Sequence, residues 1–144
     1  MSHNGRNNSW HEKSTGINNI SKWVTEGIDE DAIKFSENLG RFLAKPPRDI
    51  RGGALSTSQI RIAYGEITRL KMKFNLSELL MLKPKLAYAA ARAGGETYNT
   101  LYEIISQGIQ TIAGLPKEEQ PAKFKNLAAF FEAVLAYHKA NGGK

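Results

Sequence analysis

The sequence contains no cysteine. That absence excludes a disulfide framework, a thiolate nucleophile, a zinc ribbon and an iron–sulfur site. Histidine is scarce as well. His3 and His11 fall in an Asn-, Ser- and Gly-rich N-terminal stretch, which leaves His138 as the one histidine inside a patterned segment. No apolar run approaches the roughly 18 residues of a membrane span, and Met1–Trp10 lacks the apolar core of a secretory signal. The expected compartment is the cytoplasm, with no membrane partner. No carboxylate spacing suggests a metal cage or a two-carboxylate hydrolytic site. The glycine pairs Gly52-Gly53 and Gly94-Gly95 lack a phosphate-loop pattern. Neither a catalytic residue, a metal nor a cofactor is expected.

What is present suits one globular domain. The chain has 144 residues, 41% of them hydrophobic, enough to bury a core without metal or disulfide. Its net charge of +6 is unevenly spread. Met1–Leu55 carries eight Lys/Arg against seven Asp/Glu, and Glu96–Lys144 carries five of each. Ser56–Gly95 carries seven (Arg61, Arg69, Lys71, Lys73, Lys83, Lys85, Arg92) against two (Glu66, Glu78). An ordinary solvated surface mixes the signs, as both flanks do, so the middle segment points to an acidic partner.

Residues 1–27 read as a flexible arm with a short amphipathic piece near Ile17–Val24. A helical bundle domain is expected over 28–144. Asp29 is an N-cap, with Glu30 and Asp31 complementing the helix dipole, and Lys45-Pro46-Pro47 stops the helix that follows. Ser56 and Gln59 have capping-box spacing, and Ile60, Ala63, Ile67, Leu70 and Phe74 then repeat at helical period to about Lys73. A helix restarts at Asn75 or Ser77; Pro84 either kinks it or opens a new helix to Arg92, and Gly94-Gly95 ends it. Further helices are expected over Glu96–Ala113 and roughly Lys117–Ala140, the last with Phe124, Leu127, Phe131, Leu135 and His138 on its seam. No segment alternates with period two. The fold class is all-α, a single-domain bundle of about five helices.

Arg61, Gly65, Arg69 and Lys73 recur every four residues and form a stripe opposite the apolar face. Gly65 either lets a polyanion backbone approach closely or serves helix–helix packing. Lys85, Tyr88 and Arg92 form a second stripe on the next helix, where Tyr88 is either core or a stacking platform. Such contacts would read phosphate and shape rather than base sequence. His138, on an apolar seam, reads as packed or partner-facing rather than catalytic.

Three blocks make the sequence recognisable: Ser58-Gln59-Ile60-Arg61; Leu82-Lys83-Pro84-Lys85-Leu86-Ala87-Tyr88-Ala89-Ala90 with Arg92; and Phe130-Phe131-Glu132-Ala133-Val134-Leu135-Ala136-Tyr137-His138-Lys139. Over roughly Leu55–Lys144 the chain resembles the small helical subunit of the type III-A CRISPR–Cas (Csm) effector complex, with the equivalent type III-B small subunit as a related alternative. The resemblance implies an all-α, non-catalytic protein of an antiviral ribonucleoprotein, stacked in several copies beside the backbone and large subunits. Its basic face would line the channel holding the guide RNA–target RNA duplex. Carried onto this sequence, the implied RNA-binding residues are Gln59, Arg61, Arg69, Lys83, Lys85 and Arg92, with Arg51 and Lys139 as additions. A different class of function, a protein-binding scaffold whose basic face meets an acidic partner, also accounts for the charge.

Overall fold

The computed structural model describes residues 13–144. Its elements are α1 (Lys13–Glu26), α2 (Glu30–Ala44), α3 (Thr57–Met72), α4 (Leu76–Ala93), α5 (Glu96–Ala113) and α6 (Gln120–Ala140), with a 3-10 turn over Lys117–Glu119. No strand occurs among the described residues. The all-α bundle is as expected, with one helix more than the five anticipated.

The additional helix is α1. Ile20, Trp23 and Val24 are buried, and the Trp23 ring centroid lies 5.6 Å from that of Phe35 and 5.9 Å from that of Phe130. Gly16 opens the way for the Phe35 ring, since a Cβ there would lie 2.3 Å from Phe35 Cζ. The arm expected over residues 1–27 is therefore helical and packed from Lys13 to Glu26. Its remainder, Met1–Glu12, with His3 and His11, lies outside the described residues. Polar residues outnumber apolar ones in this stretch, yet the few apolar ones share one face, and tertiary burial overrides weak propensity.

Local signals set most of the other boundaries. Asp29 accepts a hydrogen bond from the Ala32 amide at 2.8 Å and starts α2. Ser56 and Gln59 close a reciprocal capping box at the head of α3, worth about 1 kcal/mol. Asn75 caps α4, which runs unbroken through Pro84 to the left-handed Gly94. Pro84 is exposed, so its missing N–H withdraws one helical hydrogen bond on the solvent side.

Contacts between helices fix their directions. Ser21 meets Thr111 and Gly16 approaches Ile104, so α1 runs parallel to α5. Phe35 stacks near Phe130 while Gly40 packs against Tyr137 and His138, so α2 runs parallel to α6. The Gly40 contact is very close: a Cβ there would lie 2.6 Å from Tyr137 Cβ and 2.8 Å from the Val134 carbonyl oxygen. Consequently the heads of α3 and α5 and the tails of α2, α4 and α6 meet at one end of the bundle.

The loop between α2 and α3 is stitched into that end. The Leu55 amide donates to the Leu43 carbonyl at 2.8 Å, the Glu96 amide to the Arg51 carbonyl at 2.8 Å, and Thr97 Oγ1 to the Gly53 carbonyl at 2.9 Å. His138, fully buried, places Nε2 at 2.6 Å from the Leu55 carbonyl oxygen. A carbonyl only accepts, so Nε2 is the donor, and Nδ1 has no hydrogen-bond partner. His138 is thus a structural pin for the loop.

Candidate nucleic-acid interface

The loop end owes its shape to one glycine of each pair, Gly52 and Gly95, packed against each other. A Cβ on Gly95 would lie 2.3 Å from the Arg51 carbonyl oxygen, and one on Gly52 would lie 2.5 Å from Gly95 Cα. Gly52 also has φ +95°, a conformation other residues rarely adopt. With backbone against backbone here, the Arg51 side chain is turned out to solvent, where it borders a cleft beside Ala87, Ala91 and Gly94.

Of the eight residues the sequence singled out, three are cations with no ion pair or hydrogen bond from their side chains: Arg51, Arg61 and Lys139, all exposed. All three belong to the loop end. Arg61 lies one turn into α3 and Lys139 in the last turn of α6. They face each other across a shallow slot of about 220 Å³ that Thr57, Tyr64 and Leu135 also line. Arg92, near the tail of α4, lies over the exposed Tyr88 ring, with its guanidinium 5.9 Å from the ring centroid. Tyr88 is 65% exposed, so of its two readings the core one fails.

The remaining four are committed elsewhere. The Gln59 side-chain oxygen accepts from the Ser56 amide at 2.8 Å, its carbonyl accepts from the Tyr98 hydroxyl at 3.3 Å, and the residue is half-buried. Arg69 donates to Glu66 at 2.7 Å and also to Glu78. Lys85 lies 3.6 Å from the same Glu66 carboxylate, and Lys83 donates to Gln110 at 2.9 Å. The two carboxylates of the basic segment thus neutralise its centre. Hydrogen bonding from Arg69 holds the Glu66 carboxyl below the ordinary glutamate value; partial burial opposes this and the Lys85 charge adds to it. Lys71, on the α6 side of α3, donates to Glu132 at 2.8 Å, and that bond raises its pKa.

The outward face of α3 is partly apolar. Ile62 is 65% and Met72 85% exposed, beside Arg61 and Arg69. Gly65 has nothing within 4 Å of where a Cβ would be, so it packs against no other helix of this chain. A solvent-facing mid-helix glycine costs about 1 kcal/mol relative to alanine, and no contact within the chain offsets it.

Sequence reasoning missed the slot. Thr57, Arg61 and Tyr64 stand at i, i+4 and i+7, and Leu135 and Lys139 at i and i+4, so each edge was readable from spacing. Their apposition required knowing that α3 packs against α6, which Tyr64 on Phe131 establishes (centroids 6.2 Å apart).

Comparison with known proteins bears on this arrangement. No curated protein and no solved structure matches the chain. A family model described as Csm2 Type III-A matches residues 29–144, from the Asp29 cap onward, and so leaves α1 outside the match. No helix among the described residues is long and apolar enough to cross a membrane. Most of the chain, including every element that builds the loop end, is thereby accounted for: it belongs to the Csm2 type III-A family and is a small subunit of the type III-A CRISPR–Cas (Csm) complex.

Proposed function

We propose that this subunit is a non-catalytic RNA-holding element of the Csm complex, gripping the guide–target RNA duplex by its phosphates. The observation that carries this reading is that three of the eight residues singled out from the sequence are unneutralised cations meeting at one end of the bundle. Arg51, Arg61 and Lys139 come from a loop, a helix head and a helix tail, yet are free at the same end, with Arg92 nearby on the tail of α4. Unpaired cations are the groups that gain most from meeting phosphate, because no internal ion pair has to break first. Arg69 and Lys85 join the contact only by leaving Glu66 and Glu78; Lys83 exchanges a neutral partner, and Gln59 acts by positioning the head of α3. The histidine that sequence inspection would test first for catalysis is a buried pin. The subunit works among the other Csm subunits in the cytoplasm and stacks in several copies. Exposed Ile62 and Met72, with the bare Gly65 between them, suit burial against another protein surface.

The test is a titration of the full chain against a guide–target RNA duplex over a series of salt concentrations. In the triple variant Arg51→Gln/Arg61→Gln/Lys139→Gln, binding should weaken at every concentration. The slope of log affinity against log salt should shallow by about one per cation removed, up to three. An unchanged slope in a folded triple variant refutes the assignment. Displacement of the chain from RNA by an acidic peptide at equal charge concentration would favour the scaffold reading instead.

A further inference from the structure

The slot between α3 and α6 is more than a charged face requires. Its walls are apolar: Tyr64, held by stacking on Phe131, and Leu135, partly buried against the core. Its rim carries Arg61 and Lys139, neither with a counter-ion or hydrogen bond. Thr57 also lines it, nine-tenths buried, and its Oγ1 has no hydrogen-bond partner. A cleft with this lining suits an occupant that has a compact apolar body and a negative charge close beside it. At about 220 Å³ the slot is smaller than the roughly 300–1,000 Å³ of ordinary small-molecule sites, so it admits one ring system and not an extended cofactor. A base inside a duplex is stacked on both faces and cannot enter; an unpaired one can.

We infer that this slot receives a single unpaired nucleotide of an RNA strand, with the base against Tyr64 and Leu135 and the adjoining phosphate on Arg61 and Lys139. The inference rests on the RNA-holding reading but is not contained in it, because a duplex can be gripped by phosphates alone. It adds a place where the subunit senses a local interruption of pairing.

The experiment uses the full chain and two RNA duplexes of equal length and sequence, one carrying a single bulged 2-aminopurine nucleotide. Affinity is read by anisotropy and base burial by 2-aminopurine fluorescence. The bulged duplex should bind at least about fivefold tighter, the ratio equivalent to the roughly 1 kcal/mol lower bound of base–aromatic stacking, with a change in probe emission. Leu135→Trp fills the slot and should abolish that preference while leaving affinity for the paired duplex in place. Because Leu135 also touches the core, the surface pair Arg61→Gln/Lys139→Gln serves as the second variant. It should weaken both duplexes and bring their ratio towards one. Equal affinity of the wild-type chain for the two duplexes overturns the slot and leaves the RNA-holding reading standing. Binding of neither duplex at low salt overturns both. Displacement of the bulged duplex by free AMP or UMP at comparable concentration overturns the assignment to a strand in favour of a free nucleotide.

Discussion

Replacing Glu66 and Glu78 by glutamine should strengthen RNA binding. In the native chain Arg69 is hydrogen-bonded to both carboxylates, and Lys85 lies 3.6 Å from Glu66. Glutamine keeps the side-chain length and removes the charge, so the double variant raises the formal net charge from +6 by two and leaves both cations without a counter-ion. Exposed ion pairs of this kind contribute little to stability, so the fold should persist. Each cation freed to meet a phosphate steepens the dependence of log affinity on log salt by about one. With two freed, a tenfold drop in salt should widen the ratio of variant to wild-type affinity by up to about a hundredfold. The assay is an anisotropy titration of both proteins against one guide–target duplex across the salt series. Because the Arg69 hydrogen bond holds Glu66 below the ordinary 4.5, the carboxylate stays charged at neutral pH and the contrast should be flat between pH 6 and 8. A ratio of one at every salt concentration, with both proteins folded, would place Arg69 and Lys85 off the RNA path.

Three further outcomes concern the framework. Trp23→Ala removes a buried ring packed against both Phe35 and Phe130 and should cost about 3–5 kcal/mol in urea denaturation; a loss below about 1 kcal/mol would mean that α1 is not part of the core. His138→Phe keeps the apolar bulk but leaves the buried Leu55 carbonyl without its donor, at about 1–3 kcal/mol, and should speed hydrogen exchange at the Leu55 amide; unchanged exchange would refute the pin. Since the folded pKa of Glu66 is depressed, its contribution to stability is present above the unfolded value of 4.5 and lost as pH falls through the lower folded value. Glu66→Gln should flatten that part of the acid limb in a thermal melt series, and an identical limb would contradict the pairing with Arg69.

Much of the framework was legible because it is written locally. The Asp29 cap, the Ser56–Gln59 box, the Asn75 restart and the Gly94 stop each involve residues within one turn of one another. Helix α1 was not legible in full. Its anchors, Ile20, Trp23 and Val24, are too few to outweigh a polar composition until Phe35 and Phe130 supply the other half of the contact. At Pro84 the sequence left a kinked helix and a new helix start both open; α4 is a single helix through it, because proline at an exposed position in a packed helix withdraws only one bond. At the site, the charge map located the basic segment but not its neutralisation. Arg69 and Glu78 are nine residues apart and meet only when α3 and α4 fold against each other. Two of the three unpaired cations, Arg51 and Lys139, fall outside that segment and were secondary in the sequence reading, because their convergence with Arg61 depends on the loop pinned by His138.

Whether RNA lies against the loop end of the bundle can be read by purifying the assembled complex through a tag on this chain, crosslinking bound RNA with ultraviolet light and mapping the modified peptides. Crosslinks within residues 48–64, 88–92 and 135–139 are expected, absent or much reduced in the Arg51→Gln/Arg61→Gln/Lys139→Gln complex. Crosslinks confined to α1 and α2, or a complex that retains RNA with no crosslink to this chain, would contradict the account.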